Sequence, residues 1–189
     1  MILYLHGFNS SPYSAKAQYL RRHLEERGRG EEFVCPALPH RPNLAVAKAE
    51  AEIVRAAEDK KVTLVGSSLG GFYATWLAEK YGMRAVLINP AIDPHLGLRA
   101  YLGRQQLFHG GETYELTEEH LREWEGLLVA DVHPERYLLL VETGDEILDY
   151  RIAVRKYVGA KQVVVQGGDH SLASFPEHIP LILGFAGMG

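Results

Sequence analysis

A chain of 189 residues, 47% hydrophobic and 23% charged, has the length and composition of one globular domain, residues 1–189, with a core of ordinary size. Its 20 Lys and Arg against 24 Asp and Glu give a formal net charge of -4, and the scattered cations exclude the electrostatic footprint of a nucleic-acid binder. No signal-type apolar run or membrane-length stretch is present, and Cys35 is the lone cysteine, so we expect no membrane span, no internal disulfide and a cytoplasmic location.

In chain order, Ile2–Leu5 is an apolar run ending at His6-Gly7, which predicts a buried strand. Ser14 can cap a helix whose inner face carries Ala17, Leu20 and Leu24 and which stops at Gly28. Residues 33–38 read as a strand interrupted by proline, and Cys35 within it reads as a small hydrophobe. Asn43 is placed to cap an Ala-rich helix over 44–57. Val62–Val65 predicts the next strand, and a helix is expected from Phe72 to Tyr81. Further apolar runs at 85–88, 138–141 and 162–165 complete the strands. Runs that are apolar throughout belong to a sheet covered on both faces, and helical patterns between most of them predict an α/β fold with a mostly parallel sheet.

Residues 91–135 break that alternation, being far longer than a crossover needs. Leu121, Trp124, Leu127 and Leu128 would share one face of a helix after Thr117. This segment either covers the sheet or forms a small helical cap over the ligand-facing strand ends; we expect the cap.

Gly66-Ser67-Ser68-Leu69-Gly70 lies between a strand and a helix, the context in which G-x-S-x-G makes a nucleophile elbow. The central Ser68 is the candidate nucleophile; Ser67 is assigned to the turn. A neutral hydroxyl needs a base oriented by a third group. Two later strands end in loops that supply them: Glu142-Thr143-Gly144-Asp145 and Gly167-Gly168-Asp169-His170. His170 is the candidate base, with His6 as its rival at the end of the first strand. Asp145 is the candidate acid, and Asp149, Glu142 and Asp169 remain open as alternatives. The oxyanion of an acyl-transfer intermediate calls for two preorganised donors. The backbone N–H of Leu69 is one, and that of Phe8 (with Asn9 next) is the other, since Gly7 permits close approach. No H-x-x-x-H or C-x-x-C spacing and no phosphate- or dinucleotide-binding glycine loop occurs, so neither a metal nor a cofactor is expected.

His6-Gly7-Phe8-Asn9-Ser10-Ser11-Pro12, Gly66–Gly71, Gly144–Tyr150 and Gly167–His170 together resemble the YqiA-type esterases, a small branch of the α/β-hydrolase superfamily catalogued as the uncharacterised family UPF0227. The resemblance covers essentially the whole chain. It implies a compact α/β-hydrolase fold without the first antiparallel hairpin of larger members. It also implies esterase activity on small-molecule acyl esters or acyl thioesters, with Ser68, Asp145 and His170 as nucleophile, acid and base. The chain departs from the pattern at Ser171-Leu172, where an aromatic often follows the histidine; we read this as a difference in the pocket. A serine hydrolase acting on another acyl group (peptidase or lipase-like) and a non-catalytic binding protein on the same scaffold are the competing readings. The oligomeric state stays open.

Overall fold

The computed structural model describes residues 1–57 and 61–189. In chain order it runs β1 (Ile2–Leu5), α1 (Ala15–Glu25), β2 (Phe33–Val34), α2 (Pro42–Ala57), β3 (Thr63–Ser67), α3 (Leu69–Tyr81), β4 (Arg84–Ile88), then α4 (Pro94–Gly97), β5 (Gly103–Gln106), β6 (Thr113–Leu116), α5 (Glu118–Gly126), β7 (Tyr137–Glu142), α6 (Tyr150–Lys156), β8 (Lys161–Val165) and α7 (Phe175–Ala186). Six strands form one sheet in the order β2-β1-β3-β4-β7-β8, and every neighbouring pair is parallel. The order reverses between β1 and β3, so a crevice opens beyond their carboxyl ends.

Strand alternation divides the apolar residues into two layers. Leu3, Leu5, Leu64, Leu87 and Leu139 face α2, α3 and α5 on one side, with the fully buried Trp124 among them. Ile2, Tyr4, Val65, Val86 and Leu140 face α1 and α7 on the other. Over β1, β3, β4 and β7 both faces are covered, which is why these strands read as unbroken apolar runs, whereas edge strand β8 leaves Val164 39% exposed.

Several local expectations shift. The 33–38 strand shortens to Phe33–Val34; Pro36 and Pro39 have no N–H to continue the ladder. Helix α2 begins at Pro42, with the Ala45 N–H bonded to the Arg41 carbonyl. Asn43 is therefore inside the helix, and proline occupies the first position, where a missing N–H costs no hydrogen bond. Helix α3 begins at Leu69, directly after the elbow serine, three residues earlier than Phe72.

The 91–135 segment is only partly helical. It carries α4 and α5 and, between them, an antiparallel hairpin pairing Gly103 with Leu116 and Gln105 with Tyr114. The sequence reading lacks that hairpin. In α5 and just beyond it, Leu121, Trp124 and Leu127 are buried, whereas Leu128 is 40% exposed because the helix ends at Gly126. The Trp124 indole N–H donates to the Tyr73 hydroxyl at 2.8 Å and ties the insertion to α3. Among the described residues no helix is long and apolar enough to cross a membrane.

The tightest constraint is where α3 passes beneath β1. A methyl on Gly70 would overlap the Leu5 carbonyl oxygen, and one on Gly66 would overlap the Gly70 carbonyl. Backbone on both sides leaves no flexible side chain to yield. Gly70→Ala should therefore destabilise the protein by about 3 kcal/mol or more, at the upper end of overpacking costs. Urea denaturation checks this, and an unchanged midpoint would contradict the close approach.

Candidate active site

Ser68 sits between β3 and α3 with φ 55 and ψ -120, a left-handed conformation that costs a non-glycine residue on the order of 1–3 kcal/mol. The backbone around it is pinned: the Ser68 N–H donates to the Ile88 carbonyl at 2.9 Å, and the Ser68 carbonyl accepts from Gly71 at 2.9 Å and Ala91 at 3.1 Å. The strain is thus held by β4 and by the first turn of α3.

The side chains of Ser68, His170 and Asp145 form one continuous hydrogen-bonded line. His170 Nε2 lies 3.0 Å from Ser68 Oγ, and His170 Nδ1 lies 2.8 Å from Asp145 Oδ2. A carboxylate only accepts, so Nδ1 carries the proton and Nε2 is left to accept from the serine hydroxyl. The Asp145 side chain is 1% exposed, and its other oxygen accepts the N–H groups of Ile147 at 2.9 Å and Leu148 at 2.8 Å. Burial pushes this carboxyl up, but the His170 and Leu148 hydrogen bonds outweigh it and hold the group below the usual aspartate range.

The other acidic candidates have different work. Asp149 is exposed and caps α6, accepting the Arg151 N–H at 3.0 Å. Asp169 closes a turn, accepting the Ser171 N–H at 2.8 Å. Glu142 is 1% exposed and holds the loop that carries the histidine. Its carboxylate accepts from the N–H groups of Asp169 (2.8 Å), Ala173 (3.3 Å) and Ser174 (3.2 Å) and from the Ser174 hydroxyl (2.6 Å). Burial raises its pKa, and these donors, the Ser174 hydroxyl first, more than reverse the effect.

Asn89 completes that support: its amide donates to the carbonyls of Asp169 (3.2 Å) and His170 (3.1 Å), and its oxygen accepts the Glu142 N–H (3.1 Å). Lys16 Nζ donates to the Ser171 carbonyl at 2.6 Å. None of these supporting roles is visible in the sequence, although Asn89 ends a strand immediately before a proline, a position that could have drawn notice.

His6 does not join the line. Its Nε2 accepts the Leu38 N–H at 3.0 Å and its Nδ1 donates to the Gly7 carbonyl at 3.1 Å, so the ring ties the loop after β1 to the segment after β2. Burial holds its pKa below the ordinary histidine value. Ser67 is the buried last residue of β3, paired with Ile88. Leu172 belongs to the core on the α1 and α7 side, so the departure at 171–172 is a packing difference and not one of the pocket. Cys35 is half-buried, with its thiol pushed up to about 12 by burial.

The loop after β1 lies against Ser68: a Cβ added at Gly7 would be 3.3 Å from Ser68 Cβ and 3.8 Å from its Oγ. Among the described residues the N–H groups of Phe8 and Leu69 have no acceptor. Both residues line a cleft open to solvent, with Leu38, Tyr73, Leu107 and Tyr114. The insertion therefore forms one wall of this cleft. Among the described residues no three His, Cys, Asp or Glu side chains converge as metal ligands would.

The sequence model of UPF0227, an uncharacterised protein family, matches residues 1–187. Among solved structures, mouse alpha/beta hydrolase domain-containing protein 10 superposes with a TM-score of 0.72 at 18% identity, covering 96% of this chain and 87% of that one. Est1E from Butyrivibrio proteoclasticus gives 0.71 at 16% identity, covering 98% and 84%. The monoacylglycerol lipase of Paleococcus ferrophilus gives 0.68 at 17%, covering 100% and 94%. The fold is that of the α/β-hydrolase superfamily.

The lowered Glu142 carboxyl contributes stability that is present above the ordinary glutamate pKa of about 4.3 and is lost as pH falls through the lower folded value. Urea denaturation of wild type and Glu142→Gln should therefore differ by about 1–3 kcal/mol at pH 7, with a smaller gap at pH 3. An equal gap at both pH values would refute the clamp.

Proposed function

We propose, taking as premise that this chain belongs to the uncharacterised family UPF0227, that it is a serine hydrolase cleaving carboxylic esters or acyl thioesters of small molecules. One observation carries this reading: Asp145, His170 and Ser68 are joined by hydrogen bonds of 2.8 and 3.0 Å at the carboxyl ends of parallel strands. A binding module has no use for a hydroxyl aligned on a basic nitrogen whose other side is held by a buried carboxylate. The superposition on a protein described as a monoacylglycerol lipase agrees with ester chemistry.

In this mechanism Ser68 Oγ attacks the acyl carbon while His170 Nε2 takes its proton. Asp145 holds the imidazole tautomer and stabilises the imidazolium. The negative charge on the former carbonyl oxygen is met by the N–H groups of Phe8 and Leu69, the latter at the positive end of α3. His170 then returns the proton to the departing alcohol or thiol, leaving an acyl-enzyme. A water molecule, deprotonated by His170, attacks that ester and releases the carboxylic acid. No metal or cofactor takes part. The chain works as one domain in the cytoplasm, with residues 91–135 as a cap that walls the acyl cleft.

Fluorophosphonate labelling tests the nucleophile: wild type should label and Ser68→Ala should not, and equal labelling would end the hydrolase reading. Asp145→Asn should lower kcat on the order of 10⁴-fold while the fold persists; a near-normal rate would transfer the acid role elsewhere. The cleft at Phe8 and Leu69 is closely walled by Leu38, Tyr73, Leu107 and Tyr114, which leaves room for a short acyl group. Nitrophenyl butyrate should thus be cleaved faster than the palmitate, and a flat profile would place the acyl chain outside the cleft.

A further inference from the structure

Asn9 is the residue through which the insertion reaches the catalytic loop. It lies in the turn closed by the Ser10 N–H and the Gly7 carbonyl at 3.2 Å, with a left-handed φ of 53. Asparagine tolerates that conformation better than most residues because its short amide bonds locally. Here the amide bonds instead to an element about a hundred residues away in the chain. Its oxygen accepts the Tyr114 hydroxyl at 2.7 Å, and its NH₂ donates to Gln105 Oε1 at 3.1 Å. The Asn9 carbonyl accepts the Phe108 N–H at 2.8 Å. All three polar groups of this residue other than its own N–H are therefore spent on the hairpin.

The hairpin is built to grip. Gln105 and Tyr114 are directly opposite each other across β5 and β6, so their side chains emerge on one face at one register position. Each is braced from behind. Gln105 donates to the Tyr101 carbonyl at 2.6 Å, and the Tyr114 ring stacks on His40 with centroids 4.2 Å apart. His40 in turn shares a 2.9 Å hydrogen bond with His120 in α5, the helix anchored by Trp124.

We infer that the Gln105–Tyr114 pair is a latch on Asn9 that fixes the oxyanion loop, making Asn9 and Tyr114 positioning residues for the Phe8 N–H. The inference rests on the hydrolase reading and on Phe8 as an oxyanion donor. Its physical basis is the sensitivity of such donors to placement, because each acts only if aimed where charge develops. The turn's own bonds, from the Ser10 N–H and His6 Nδ1 to the Gly7 carbonyl, hold its first residue and do not reach Asn9. The insertion supplies the second point of attachment.

Two variants test the latch without touching Ser68, His170 or Asp145. Tyr114→Phe deletes one hydroxyl and keeps the ring stacked on His40. Asn9→Gly keeps the left-handed backbone and the bond to Phe108 while removing both side-chain bonds. With nitrophenyl butyrate, each should lower kcat about 10- to 100-fold, below the 10²–10³ loss for deleting a donor outright, while KM stays within about threefold. The double variant should lose little more than the worse single one, since both cut the same contact. Melting temperature for Tyr114→Phe should stay close to wild type, and overnight fluorophosphonate treatment should still label Ser68 to completion.

If both variants keep kcat within twofold of a wild type that labels, the latch is refuted and the hydrolase reading stands. A loss that follows a lowered melting temperature, or that appears in KM instead of kcat, also overturns it. A wild type that fails to label removes the hydrolase reading itself.

Discussion

The arrangement depends on one contact between main chains: the first turn of α3 running under the end of β1 with nothing between them but glycine. Gly70 against the Leu5 carbonyl and Gly66 against Gly70 set the depth of the elbow. That depth sets the height of the Ser68 hydroxyl above the sheet edge and its distance from the loop at Gly7. A serine held there in a strained conformation cannot relax, because its own carbonyl and N–H are committed to neighbouring backbone. Geometry at Ser68 is therefore a property of the core and not of a loop, which is the condition for a preorganised site.

The two acidic groups at the end of β7 show how one strand terminus supports two tasks. Glu142 and Asp145 are three residues apart and both have shielded carboxylates, yet they face different partners. Glu142 accepts mostly backbone N–H groups from the stretch 169–174, so it shapes the path of that loop. Asp145 accepts the imidazole itself. A buried carboxylate without donors would be neutral and destabilising; here each is surrounded by enough donors to remain charged. The loop bearing His170 is thus tied to β7 twice, and to the end of β4 through Asn89.

How much of this was legible in the sequence follows from which interactions are local. The apolar runs of β1, β3, β4 and β7 announced a doubly covered sheet. The glycine spacing around Ser68, with strand-terminal Asp145 and His170, announced which side chains would meet. Boundaries set by proline were less legible: Pro42 opens α2 where Asn43 looked like its cap, and Pro36 with Pro39 cuts β2 to two residues. The hairpin was invisible for a physical reason. Arg104, Gln105 and Gln106 of β5 carry no apolar alternation, and in β6 the alternation is only two residues long, Tyr114 and the buried Leu116. Glu142 and Asn89 were opaque likewise, since their partners lie 27 to 81 residues further along the chain.

The grip of β5 and β6 on Asn9 has a consequence for traffic through the site. In many enzymes a covering segment swings aside to admit reactant, and that swing can limit turnover. On the proposed latch, the covering segment and the turn it braces are one mechanical piece, so swinging outward would disassemble the groups assigned to the oxyanion. Entry and exit would then proceed through a mouth of constant width, and in the proposed hydrolysis the size of the departing alcohol, more than any rhythm of opening, becomes the quantity on which selection can act.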